Sequence, residues 1–188
     1  MQKSLAYIFW GYLLVFLAIR IGIDFFADPV GYLLIANGSL AIAANHQAAR
    51  KAGFVAILLC VLSVPTVFMD LNLAEYGGWF YYSNLLFAGK IVLTFYLFHM
   101  LKEIAEADGT GLLADRTKRV YAFFMSTNLA MLAFTAVHLV VESTFLETIA
   151  FLLLLLVLIS NISFLLLIRT FRKKEDRKTI LIENEGVY

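Results

Sequence analysis

Residues 79–101, WFYYSNLLFAGKIVLTFYLFHML, form a long apolar run whose single lysine, Lys90, falls at its centre. As a helix, these 23 residues cover roughly 34 Å at about 1.5 Å per residue, enough to cross a hydrocarbon core of about 30 Å. A lysine at mid-bilayer costs about 2.5 to 3.5 kcal/mol on insertion, so this helix needs neighbours that receive the ammonium. Ser83, Phe87, Lys90, Thr94 and Leu97 follow at steps of four and three, which lays them along one helix face. That face is expected to point at other helices or a water-filled cavity rather than at lipid.

The whole chain fits that reading. It is 62% hydrophobic with two prolines in 188 residues and has a mean hydropathy of +0.84, too apolar for an ordinary water-soluble domain. Cys60 is the single cysteine, which excludes an intrachain disulfide and any CxxC motif. Further apolar segments at 5–23, 30–46, 54–71, 120–141 and 146–168 bring the expected spans to six, followed by a basic tail over 169–188. The first follows Lys3 in the manner of a signal peptide, but no small-x-small cleavage site follows it, so it counts as a span. The second is short and carries Asn37, Gly38 and Ser39 at its centre, as a broken or re-entrant helix would. The third contains Pro65, where a kink is expected.

Charge sets the orientation. Threaded six times, the chain collects Lys3, Arg50, Lys51, Lys102, Arg116, Lys118, Arg119 and the tail cations Arg169, Arg172, Lys173, Lys174, Arg177 and Lys178 on one side. The opposite side holds Asp28, Asp70, Glu75, Glu142 and Glu147. The positive-inside rule then places both termini in the cytoplasm, and the fold class expected is an all-α membrane protein, a six-transmembrane-helix bundle. A prokaryotic plasma membrane fits best.

Between the fourth and fifth spans, residues 102–119 are expected to prolong the fourth helix by a turn or two before breaking at Asp108-Gly109. The DGTG there follows no strand and lacks a lysine-serine pair, so it reads as turn chemistry. RTFRKKEDRK in the tail reads as a stop-transfer cluster drawn to anionic lipid, and TILIENEGVY as a flexible end able to dock a cytoplasmic protein. Ser83-Asn84, Thr127-Asn128 and Ser160-Asn161, one pair in each of the last three spans, suit interhelical hydrogen bonds.

Candidate chemistry lies along two stripes and one isolated pair. Asn128, Thr135, His138 and Glu142 follow at steps of seven, three and four, Ser63, Thr66 and Asp70 line a face of the third helix, and Arg20 and Asp24 stand four apart. Arg20, Asp24, Asp70, His138 and Glu142 therefore fall in the outer third, above Lys90 and Thr94. Together with Asn128 they can line an outward-facing polar vestibule with a cationic floor, and a histidine among carboxylates titrates near neutral pH. His46, His99 and Glu103 are the one set with metal-ligating side chains at a shared level, but neither His-x-x-x-His nor His-Glu-x-x-His occurs, so no metal is assigned.

The function expected is a small transporter or substrate-capture subunit, with Lys90 neutralising a small anionic ligand or coupling proton movement. The alternative is a regulatory or assembly subunit packed against another membrane protein. A haem or quinone redox protein is the third reading, tested by a visible spectrum and a lipid extract. No enzyme motif, cofactor or nucleic-acid partner is assigned, and the lipid bilayer is the partner the composition demands.

Overall fold

In a computed structural model, the backbone is described for residues 1–21, 27–67, 78–138 and 144–185, and side chains for 1–17, 28–66, 78–136 and 145–177. The described residues are helical or lie in short turns and connections, with no strand. The helices are α1 (Gln2–Ile21), α2 (Ala27–Ile42), α3 (Gln47–Leu62), α4 (Gly78–Ala107), α5 (Gly111–His138) and α6 (Thr144–Glu185), and a 3-10 turn, Val64–Val67, follows α3. Each helix packs on its chain neighbours where both are described, and α1 also packs on α6, which closes an up-and-down ring.

Contacts at the two ends show that the helices alternate in direction. At one end Gly38 of α2 abuts Ser4 of α1, His46 Nδ1 before α3 lies 3.5 Å from Glu103 Oε2 of α4, and Lys174 Nζ of α6 donates to Asp108 Oδ2 at 2.8 Å. At the other end the Cys60 thiol meets the Pro29 carbonyl at 3.3 Å, and the Tyr82 hydroxyl donates to the Leu62 carbonyl. The first end is the basic one.

Two helices, Gly78–Ala107 and Phe145–Arg177, are long and apolar enough to cross a membrane by length and composition, and Gln2–Leu17 is apolar but shorter. Large apolar side chains nevertheless face outward around the whole ring: Trp10, Leu33, Phe54, Val61, Val92, Leu129 and Phe151 are all exposed, Phe54 to 63% and Val61 to 64%.

Several boundaries differ from the sequence expectation. The third helix, expected over 54–71 with a kink at Pro65, spans Gln47–Leu62 and ends before the proline. Pro65 lacks an N–H and disfavours helical geometry in the residue before it, so it stops the helix rather than bending it. Ser63 and Thr66 finish the job: the Ser63 hydroxyl donates to the Cys60 carbonyl at 3.0 Å and the Thr66 hydroxyl to the Ser63 carbonyl at 2.7 Å. The alanines of QAARKA extend the same helix backwards, because Ala48, Ala49 and Ala52 combine high helix propensity with burial at a close interface.

α2 is unbroken through Asn37, Gly38 and Ser39, so it is not re-entrant at that point. Asn37 is exposed, while Gly38 is buried against α1 and keeps helical geometry. α4 runs to Ala107 as expected and stops at Gly109, whose φ of 65° needs a residue without a Cβ. α6 continues to Glu185 instead of ending near 168. The segment expected to be a flexible end is therefore helical that far. No glycine or proline occurs between Thr144 and Glu185, and the Lys174–Asp108 pair holds the extension to the α4–α5 turn.

Candidate functional site

Lys90 is the centre of a polar layer inside the ring. Its side chain is 4% exposed, because the stripe that contains Thr94 and Leu97 turns inward and both of those residues are buried with it. Lys90 Nζ lies 5.3 Å from the centroid of the Tyr12 ring and 6.0 Å from that of Phe16, both on α1. The electron-rich faces of two rings attract an ammonium, more strongly where water is excluded.

Tyr12 in turn is fixed by α6. Its hydroxyl donates to Asn161 Oδ1 at 2.7 Å, and Asn161 Nδ2 donates to the Val157 carbonyl at 2.7 Å. The Thr94 hydroxyl donates to the Lys90 carbonyl at 2.8 Å and stands within hydrogen-bonding reach of the Tyr12 phenol. Beside them Asn128 Nδ2 of α5 donates to Ser160 Oγ of α6 at 3.2 Å and to the Phe124 carbonyl at 2.8 Å. Nearer the other end, the Thr135 hydroxyl of α5 approaches Asn84 Oδ1 of α4 at 3.1 Å. Each of the three serine-asparagine or threonine-asparagine pairs thus supplies an asparagine to an interhelical bond.

Toward the basic end the layer rests on an aromatic floor. Phe98 lies two turns past Lys90 on α4, Phe124 one turn before Asn128 on α5, and Phe164 one turn past Asn161 on α6. The Phe164 centroid is 4.6 Å from that of Phe98, 4.7 Å from Tyr12 and 5.9 Å from Phe124. All four side chains are fully buried or nearly so. These close-packed rings place an apolar layer between Lys90 and the basic end.

The expected site residues divide accordingly. Lys90, Thr94 and Asn128 come together in the polar layer. Arg20 lies in the last turn of α1 and His138 is the last residue of α5, with the side chains of both outside the described residues. Asp24, Asp70 and Glu142 lie wholly outside them. His46 pairs with Glu103, whereas the exposed His99 ring turns to the Phe95 carbonyl at 3.0 Å and packs 4.3 Å from the Phe95 ring. No three of the described histidines, cysteines and carboxylates form a group that could hold a metal.

Sequence reasoning passed over Tyr12 and Phe16 as neighbours of Lys90, and Asn161 as the acceptor for Tyr12. The one available signal was the chemistry of Tyr12, a phenol in an apolar helix that needs an acceptor. Its link to Asn161 is expected to be worth about 0.6 to 2 kcal/mol as a coupling between Tyr12→Phe and Asn161→Leu, the range for buried interhelical hydrogen bonds. Unfolding the two single variants and the double variant in detergent measures it. Strict additivity would show that the pair does not join α1 to α6.

No protein-family model matches the chain, and neither a curated protein nor a solved structure is detectably similar to it.

Proposed function

We propose that this protein is a small integral membrane transporter or substrate-capture subunit, a six-span bundle with its basic end in the cytoplasm. Lys90 provides the charge that receives a small anionic ligand from the opposite face. The observation that carries this reading is the convergence of Lys90, Thr94, Tyr12, Asn161, Ser160 and Asn128 from four helices at one level, above the Phe98–Phe124–Phe164 floor. A buried cation close to hydrogen-bonding side chains from four helices suits an anion better than a hydrophobic ligand. The outward-facing apolar side chains of every helix support the six-span placement, and the basic end supports its orientation in a prokaryotic plasma membrane. Arg20, Asp24, Asp70, His138 and Glu142 are proposed to line the way in.

The test is thiol labelling of Lys90→Cys in a Cys60→Ala background, in sealed vesicles, with a membrane-impermeant reagent. Reaction is expected from the face opposite the basic end, and to be at least about tenfold slower from the basic end, the difference one RT ln 10 step of barrier produces. Absence of labelling from either face overturns the capture reading. A regulatory or assembly subunit is the second reading, favoured by the reach of α6 past Ile168 to Glu185. It predicts that Lys90→Ala stays folded but loses a co-purifying membrane partner.

A further inference from the structure

Where α5 begins and α6 leaves the apolar part of the bundle, the two helices enclose a groove of about 520 Å³. Arg169, Lys173 and Arg177 line it from α6 at steps of four, which places all three on one face. Arg116 lines it from the second turn of α5, and Leu113 and Leu166 form its wall on the side of the bundle. The four cations are exposed. Lys174, the remaining basic residue of the lining, is committed to Asp108 and Thr110 at 2.8 and 3.0 Å. It pins α6 to the α4–α5 turn and so keeps the groove's two walls at a set separation.

We infer that this groove is a binding site for the phosphodiester headgroup of an anionic phospholipid. Guanidinium groups from two helices can engage phosphate oxygens in pairs, which a single lysine-rich tail does not achieve. The apolar wall decides between a lipid and a free anion. Leu166 is half exposed and sits three residues before Arg169, so acyl chain and phosphate meet successive parts of one groove, as they do at the edge of a bilayer. Diffuse attraction of a basic tail to a charged membrane needs only net charge. This site also needs Arg116, which is far from the tail in sequence. The inference rests on the membrane placement of α6 and on no role for Lys90.

The test uses the full chain in detergent, titrated with phosphatidylglycerol or phosphatidylcholine and followed by native mass spectrometry. Retention of phosphatidylglycerol is expected to exceed that of phosphatidylcholine. Arg116→Gln/Arg169→Gln is expected to weaken it about tenfold or more, since each basic residue near a lipid surface contributes about 1 kcal/mol. Lys118→Gln/Arg119→Gln removes two charges at the same end outside the groove and is expected to leave binding nearly unchanged. Equal loss in both double variants would reduce the effect to net charge and overturn the site. Displacement by millimolar inorganic phosphate would identify a free-anion site and overturn the lipid as occupant. A chain that stays soluble without detergent would overturn both this inference and the membrane reading, whereas loss of the Lys90 labelling result would leave the groove untouched.

Discussion

Lys90→Glu is expected to cost about 3 to 5 kcal/mol, the range for leaving a buried charge without compensation, and so to abolish or severely weaken folding. Lys90→Met is expected to fold. The difference follows from what surrounds the side chain. The rings of Tyr12 and Phe16 present faces that attract an ammonium and repel a carboxylate. Asn161 Oδ1 already accepts the Tyr12 proton at 2.7 Å, and Asn161 Nδ2 is spent on the Val157 carbonyl. A carboxylate in place of the ammonium would face those two rings and amide groups already committed elsewhere. Methionine keeps the length and packing of the lysine stem without its charge. Far-UV circular dichroism and thermal unfolding in detergent give the readout. A Lys90→Glu variant that melts with the native protein would mean the layer tolerates a charge of either sign, and its preference for a cation would be wrong.

Gly38→Leu is expected to separate α1 from α2 and to disturb the polar layer from a distance. A Cβ built on Gly38 would stand 2.5 Å from the Ser4 carbonyl oxygen, 2.7 Å from Ile8 Cγ1 and 3.1 Å from the Ile8 backbone nitrogen. One turn pair away, a Cβ on Gly31 would meet the Gly11 carbonyl oxygen at 2.8 Å. Backbone atoms cannot swing aside as a rotamer does, so α1 itself must move outward. Overpacking of this kind costs about 1 to 3 kcal/mol, or a fall of roughly 2 to 12 °C in Tm for a chain of this size. Tyr12 and Phe16 ride on α1, so their rings move off Lys90 and the Tyr12–Asn161 bond lengthens. The variant is therefore expected to label faster at a cysteine placed at position 90, besides melting earlier. Gly38→Ala is expected to show the same effects in smaller measure. Native melting and native labelling in Gly38→Leu would rule out the close α1–α2 seam as a support of the site.

α4 is the part of this fold that could be read from the chain. Its length follows from an apolar run bounded by Gly78 and by Asp108-Gly109, and its inward face from the steps between Lys90, Thr94 and Leu97. Helical periodicity assigns a face wherever polar residues are few enough to mark one. The gathering of basic residues at one end was equally legible, because alternation of direction in a short-looped helical chain leaves few other arrangements.

The boundaries of α3 and α6 were not legible from hydropathy, which counts apolar residues and is blind to what ends a helix. Alanine-rich QAARKA is too polar to register as a span yet is strongly helical, and the tail from Arg169 onward continues a helix that nothing in its sequence interrupts. The surroundings of Lys90 were decided only by packing. α1 is apolar on almost every face, so its pattern does not say which side meets α4. Gly11, Gly31 and Gly38 let α1 and α2 approach to backbone contact, and that seam, with the α1–α6 closure, turns Tyr12 and Phe16 toward a lysine more than seventy residues away in the chain. Between helices that are apolar all round, the hydrophobic effect has no preferred rotation. Shape and the few buried hydrogen bonds choose it, and both exist only once the helices are together.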